Sequence, residues 1–261
     1  MSHSRAPPAQ QANLSRLEVI YMPAKIIAIV NQKGGVGKTT STEHLGIGFA
    51  MQGKRVLVVD ADPQGDLTTC LGWNSDELDN TLSTLMLAAM SNQPPPFQQC
   101  ILHHQEGIDL IPANIELSAL EVPLVTAMGR ERILSSCLNE LREQYDYILI
   151  DCPFSLNMLT INALAAADSV IIPVQAQYLA AKGMTQLINS INQVRRVINP
   201  SLRIEGILIA LVKGRIKFAQ SVITALRQNY GDAIHIFNSQ IPERTRAAES
   251  SAKGVSLFTY V

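Results

Sequence analysis

Apolar runs without alternation recur at residues 26–30, 56–60, 147–151, 169–174 and 206–212, with shorter ones at 108–111 and 235–237. A run of that length with no polar residue at every second place reads as a strand buried on both faces. Between the runs lie stretches with helical spacing, at 39–52, 81–90, 116–120, 130–143, 156–167, 179–198 and 218–230. In 130–143, Ile133, Leu134, Cys137, Leu138 and Leu141 share one side, the period of an amphipathic helix. Gly53 suits the position just past the first helix, and Asn199-Pro200 stops the long one. The alternation predicts an α/β fold, a doubly wound, mostly parallel sheet with helices on both faces. No internal repeat appears, so residues 25–261 are expected to form one domain. Residues 1–24, with Pro7-Pro8, several Gln and Ser and no periodicity, read as a flexible tail, with Met22 an alternative start.

Composition narrows the classes. Hydrophobic residues make up 47% and aromatics 5%, the balance expected of an aliphatic parallel sheet. Net charge is −1, so the whole molecule has no general attraction to nucleic acid. From Arg195 onward, however, ten basic residues face four acids (Glu205, Asp232, Glu243 and Glu249). Cys70, Cys100, Cys137 and Cys152 form no Cys-x-x-Cys pair and read as idle thiols of a reducing compartment. No run approaches the roughly 18 apolar residues of a membrane span, and the N-terminus lacks the apolar core of a secretion signal.

The chemistry enters at residues 33–40, Lys33-Gly34-Gly35-Val36-Gly37-Lys38-Thr39-Thr40, directly after the first apolar run. Glycines there let successive backbone N–H groups point into one concavity at a helix N-terminus, which favours a phosphate. Lys38 brings positive charge to the β/γ-phosphates, and the Thr39 hydroxyl is placed to ligate Mg²⁺. Gln32 stands where the general phosphate-loop pattern opens with glycine, and Lys33 fills its first variable position. The loop is thus a deviant form with a second lysine, and the chain is expected to bind a nucleoside triphosphate.

Two apolar runs end in aspartate, Asp60 and Asp151. Ligands of such sheets bind at the carboxyl ends of strands, and an unpaired carboxylate there is costly. A Mg²⁺ ion brought with the nucleotide supplies the opposing charge. Asp151 is the better metal candidate, with helix capping as the alternative. Asp62, in Asp60-Ala61-Asp62-Pro63-Gln64-Gly65, can orient or deprotonate a water facing the γ-phosphate; a plain Asp-Pro turn is the competing explanation. Gln64 is a further candidate for water or phosphate contact.

Taken together, the chain resembles the ParA/Soj family of DNA-partitioning ATPases, within the MinD-like deviant Walker A class. The likeness rests on residues 33–40, on Val58-Val59-Asp60-Ala61-Asp62-Pro63-Gln64-Gly65 and on Ile150-Asp151-Cys152-Pro153. Ile172-Pro173-Val174-Gln175, Gly214-Arg215 and Ile241-Pro242 with Arg246 and Glu249 extend it over residues 25–255. The resemblance implies that Lys33 reaches across a homodimer interface to the partner's phosphates, that Asp62 serves hydrolysis, and that Pro242 borders the adenine pocket. It also implies ATP and Mg²⁺ as cofactors, non-specific DNA binding by the ATP-bound dimer, and resetting by a ParB-like partner, in the cytoplasm of a bacterium on its nucleoid. Arg195, Arg196, Arg215, Lys217 and Arg227 are the candidates for DNA phosphates, a solvated helix face being the alternative for each.

Several positions depart from the family pattern. His44 replaces the usual Asn, Phe154 a second proline, Asn157 a glycine and Lys213 an Asp, while Glu243-Arg244 follow Pro242 in place of Arg-Asn. Relatives continue into a final helix past the point where Phe258-Thr259-Tyr260-Val261 stands. Two other classes compete. A MinD-like positioning ATPase on a membrane needs an amphipathic C-terminal helix, for which residues 256–261 are too short. A nitrogenase-type reductase would need bridging thiolates, for which Cys100 and Cys137 lack a supporting pattern.

Overall fold

The computed structural model describes residues 23–175, 180–212 and 217–260. Eight strands form one sheet: β1 (Lys25–Ile29), β2 (Val56–Asp60), β3 (Leu102–His103), β4 (Asp109–Ile111), β5 (Tyr147–Asp151), β6 (Ser169–Gln175), β7 (Arg203–Val212) and β8 (Ile236–Pro242). Their order is β3-β4-β2-β5-β1-β6-β7-β8, parallel except for the antiparallel β3–β4 edge. The helices are α1 (Lys38–Ala50), α2 (Asp66–Cys70), α3 (Leu82–Met90), α4 (Phe97–Cys100), α5 (Glu116–Ala119), α6 (Glu121–Thr126), α7 (Ile133–Asn139), α8 (Met158–Ala166), α9 (Ala180–Val197), α10 (Lys217–Tyr230) and α11 (Thr245–Ala252).

Each central strand buries both sides, as its apolar run requires. Ile26, Ala28, Val30, Leu57, Val59, Ile148 and Ile150 face the larger core, with α3 and α5 to α10. Ile27, Ile29, Val56, Val58 and Leu149 face the smaller core, capped by Ile47 of α1 and by Leu67 and Leu71 beside them. Gly46 lets α1 lie directly on β2, since a Cβ there would meet Val58 Cγ1 at 2.8 Å. Cys100, Cys137 and Cys152 are buried in the larger core, so the bridging-thiolate reading finds no surface cysteines at those positions.

Differences from the sequence reading have local causes. The helix expected over 130–143 is a 3-10 turn at Arg130–Arg132 followed by the shorter α7. Asn162 clamps that junction, accepting from Leu134 N–H at 3.1 Å and donating to the Arg130 carbonyl at 2.7 Å. Strand β8 runs well past 235–237, but Asn238, Ser239 and Gln240 lie exposed on the sheet's edge, so polarity hid it. The two-residue β3 and the short helices α2, α4 and α6 offered too little length for periodicity. Helix α11, TRAAESSA, carries no bulky apolar residue to mark it. Of the expected tail, residues 1–22 lie outside the described residues.

Residues after α11 return to α1. Glu106 accepts from Ser256 N–H at 3.0 Å, from Ser256 Oγ at 2.9 Å and from Thr259 Oγ1. His44 bridges the same contact: Nε2 accepts from Leu257 N–H at 3.0 Å, which leaves Nδ1–H to donate to the Thr40 carbonyl at 2.9 Å. The imidazole is therefore neutral, and burial lowers its pKa in keeping with that. The departure from Asn at this position thus acquires a packing role.

Beside it, Glu43 is fully buried and neither carboxyl oxygen has a hydrogen-bond partner. Burial, and then the charge of Glu106, pushes its pKa up to about 8. The folded state therefore holds a proton that the unfolded chain releases above about pH 4.5, and stability falls as pH rises until Glu43 ionises. Glu43→Gln should remove this slope. Its melting temperature should exceed the native value by several degrees near pH 8.5, on the order of a few kcal/mol, with a much smaller difference near pH 5. A constant difference across that range in a thermal-denaturation series would contradict the assignment.

Candidate functional site: a phosphate loop with two strand-end carboxylates

The register of three neighbouring strands assembles the site. Ile29 of β1 pairs with Asp151 of β5, and Asp151 pairs with Asp60 of β2. The loop following β1 therefore arches over two adjacent carboxylates. Gly35 and Gly37 hold it with φ of 66° and 87°, a left-handed conformation that L side chains resist. Asn31 fixes its start, accepting from Lys33 N–H at 3.0 Å and donating to the Pro173 carbonyl of β6 at 2.6 Å.

The two lysines occupy different environments. Lys38 opens α1 and is only 8% exposed, whereas Lys33, Gly34 and Gly35 form the exposed rim. A cavity of about 270 Å³ lies on the Lys33 side, lined by Asn31, Gln32, Lys33, Val174, Gln175 and Met184, among others. A second, of about 640 Å³, lies beyond Thr40 between Leu211, Glu243, Arg244, Thr245, Ala247 and Ser251. Pro242 ends β8 directly before that lining. Leu211, with φ of 53°, is a non-glycine residue held in the left-handed region at its wall.

Asp151 is 1% exposed; Thr39 Oγ1 donates to its Oδ2 at 2.6 Å, while Thr42 Oγ1, which donates to the Lys38 carbonyl at 3.1 Å, lies 3.5 Å from Oδ1. Burial, and then the neighbouring Asp60, pushes its pKa up to about 8, against the opposing pull of Thr39 and Lys38. Asp60 is fully buried, with its oxygens taken by Thr68 and by Asp62 N–H; burial raises it to about 7. Asp62 stands further out, its Oδ1 accepting from Gln64 N–H at 3.1 Å. Burial raises it, while the charge of Lys38 lowers it. Sequence reasoning missed Asn31, Thr42 and Thr68, whose hydroxyl or amide roles depend on distant partners.

With the oxygens of Asp60 already taken, Asp151 and the Thr39 hydroxyl remain as a pair of oxygen donors of the hardness that suits Mg²⁺. Thr39 donates its one proton to Asp151, which leaves its lone pairs for a cation. The chain holds these donors beside the glycine loop and the buried Lys38. Triphosphate binding with its metal is the chemistry that this arrangement supports.

Comparison with known proteins agrees. The family model described as AAA domain matches residues 24–204. Sporulation initiation inhibitor protein Soj of Bacillus subtilis is 39% identical over 236 residues, covering 90% of this chain and 91% of its own length. Chromosome partitioning protein ParA of Caulobacter vibrioides is 37% identical over 240 residues, covering 91% of this chain and 88% of its own length. The chain belongs to the ParA/Soj family of ATPases.

Solved structures of similar fold include nucleotide-bound forms. A Mycobacterium smegmatis protein described as cobyrinic acid a,c-diamide synthase, with bound ATP analog and magnesium, superposes with TM-score 0.79 at 36% identity, covering 88% of this chain and 91% of that one. An ATP complex of Cyanothece McdA gives TM-score 0.79 at 25% identity, covering 91% of each chain. This ParA/Soj member is accordingly an ATPase with ATP and Mg²⁺ as cofactors.

Lys38→Ala should weaken ATP binding by about 10- to 150-fold, the loss of one or two charge-assisted hydrogen bonds, with the melting temperature of the nucleotide-free protein little changed. Titration with a fluorescent ATP analogue measures this; unaltered affinity would contradict the role given to the buried lysine.

Proposed function

We propose that this ParA/Soj member is a DNA-segregation switch: ATP drives two copies together face to face, the paired form binds DNA without sequence preference, and hydrolysis stimulated by a ParB-like partner resets it. Several roles belong to this reading. Lys33, on the exposed rim, reaches the phosphates held by the second copy, where facing triphosphates concentrate negative charge. Asp62 orients the attacking water. Thr39 and Asp151 hold the metal, and Pro242 borders the adenine in the larger cavity. The names of Soj and ParA support the cargo class.

The observation that carries the DNA assignment is the composition of two helices. Neither α9, AAKGMTQLINSINQVRRV, nor α10, KFAQSVITALRQNY, contains an aspartate or glutamate. A merely solvated helix face ordinarily mixes both signs. Here the exposed positions of α9 include Gln186, Asn189, Gln193, Arg195 and Arg196, and those of α10 include Gln220, Ser221, Arg227, Gln228 and Asn229. Asn189, Asn192, Gln193, Arg195 and Arg196 line one open groove of about 530 Å³. Thr185 Oγ1 and Tyr230 OH, 3.0 Å apart, tie the two helices together. Amides and guanidinium groups with no opposing acid suit a phosphate backbone. Of the other candidates, Lys217 opens α10, while Arg215 lies outside the described residues.

A membrane-bound alternative gains no comparable feature. Among the described residues, no helix is long and apolar enough to cross a membrane.

Retention of non-specific duplex DNA, measured with ATP, ADP and no nucleotide, tests the switch. ATP should give the strongest retention, and Arg195→Ala with Arg196→Ala should flatten the log–log salt dependence by about two per protomer if both meet phosphates. Equal retention in all three nucleotide states would overturn the reading.

A further inference from the structure

Thr68 is fully buried in α2 and plays no part in the nucleotide chemistry described so far, yet it is the most completely committed hydroxyl near the site. Its Oγ1 accepts from Ala113 N–H at 3.0 Å and lies 2.8 Å from Asp60 Oδ2. Because Ala113 N–H is a donor, the single hydroxyl hydrogen of Thr68 has one place to go, and it goes to Asp60. Thr68 N–H adds a second bond to the same oxygen at 2.9 Å. The other oxygen of Asp60 receives Asp62 N–H at 3.2 Å. Hydrogen bonds thus link the end of β4 through Thr68 to Asp60, which accepts from Thr68 on one oxygen and from the Asp62 backbone on the other.

From this geometry we infer that Thr68 is a positioning residue for ATP hydrolysis: it locks the Asp60 carboxyl so that Asp60, in turn, sets the backbone and hence the carboxylate of Asp62. The inference rests on the reading of Asp62 as the group that orients the attacking water. Asp60 is therefore assigned a supporting part, since both of its oxygens are already taken, one by Thr68 and the other by Asp62 N–H. A second contact points the same way. Gly65, which closes the Asp62 turn by donating its N–H to the Asp62 carbonyl at 3.0 Å, packs so tightly on β4's continuation that a Cβ would lie 2.9 Å from the Ala113 carbonyl. Ala113 thus meets this segment twice, donating its N–H to Thr68 and lying with its carbonyl close against Gly65.

Hydrolysis depends on placing the water and its orienting group within a few tenths of an ångström, whereas binding the triphosphate draws mainly on the loop at residues 33–40. Loss of the Thr68 hydroxyl should therefore appear in kcat and not in ATP affinity. Valine has the shape of threonine without the hydroxyl, and serine keeps the hydroxyl without the methyl.

The test compares the native chain with Thr68→Val, Thr68→Ser and Asp62→Asn, reading kcat, ATP affinity and backbone amide exchange at Asp62. Thr68→Val should lower kcat about tenfold or more while ATP affinity stays within threefold, and Thr68→Ser should restore kcat to within threefold of native. In the native chain the Asp62 amide should exchange at least about 100-fold more slowly than an unprotected amide, in keeping with a bond to a buried carboxyl. Native kcat in Thr68→Val, equal losses of kcat and affinity, or failure of serine to rescue would overturn the inference. Should Thr68→Val not fold, the serine variant and the native Asp62 amide decide it: loss of kcat in Thr68→Ser, or an unprotected amide, counts against. Asp62→Asn separates the two layers. If that variant keeps full activity, the Asp62 reading itself fails; if it is inactive while Thr68→Val is not, only the positioning role of Thr68 fails.

Discussion

Two carboxylates on adjacent parallel strands, both removed from water, are the constraint around which this molecule is arranged. The in-register pairing of Asp60 with Asp151 brings like charges together at the carboxyl edge of the sheet. Burial penalises both, and the structure answers each in a different way. Asp60 is satisfied by Thr68 and by Asp62 N–H, and so becomes part of the scaffold. Asp151 receives the Thr39 hydroxyl at 2.6 Å and lies beside the buried Lys38. In the proposed reading the second carboxylate takes the cation that the nucleotide brings with it, which would tie metal binding to occupancy of the loop.

The same edge explains why α1 is gripped so firmly. It begins in the phosphate loop, supplies Lys38, Thr39 and Thr42 to the site, and lies against β2 through Gly46. Its outer turn carries His44, whose two ring nitrogens join the Thr40 carbonyl to Leu257 N–H, so the last described residues brace the helix that holds the phosphates. Glu43 is the cost of that arrangement, a buried acid with no hydrogen-bond partner among the described residues.

Much of this was legible in the sequence because the informative patterns are local. Uninterrupted aliphatic runs marked β1, β2, β5, β6 and β7, and the spacing of Gly35, Gly37, Lys38 and Thr39 placed a glycine loop between β1 and α1. Asp60 and Asp151 stood out as acids closing apolar runs, and Asp62 as an acid on the Pro-Gln-Gly loop just beyond one of them. What stayed hidden depends on partners far along the chain. Thr68 acquires meaning only through Ala113, Asn162 only through Arg130 and Leu134, and His44 only through Leu257. Edge strand β8 was shortened in the reading because one exposed side needs no apolar residues. Basic residues raised the possibility of a DNA surface, and the sequence already held the stronger signal, the lack of any acid in 180–197 and 217–230.

The central claim, that Asp151 is the carboxylate that takes the nucleotide's cation, is tested most directly by the Mg²⁺ dependence of ATP affinity in the native chain and in Asp151→Asn. The account expects native affinity to rise steeply with Mg²⁺, and the variant to bind ATP with little response to the metal while its nucleotide-free form is at least as stable as native, one of two crowded acids having been removed. An unchanged Mg²⁺ response in Asp151→Asn would contradict it.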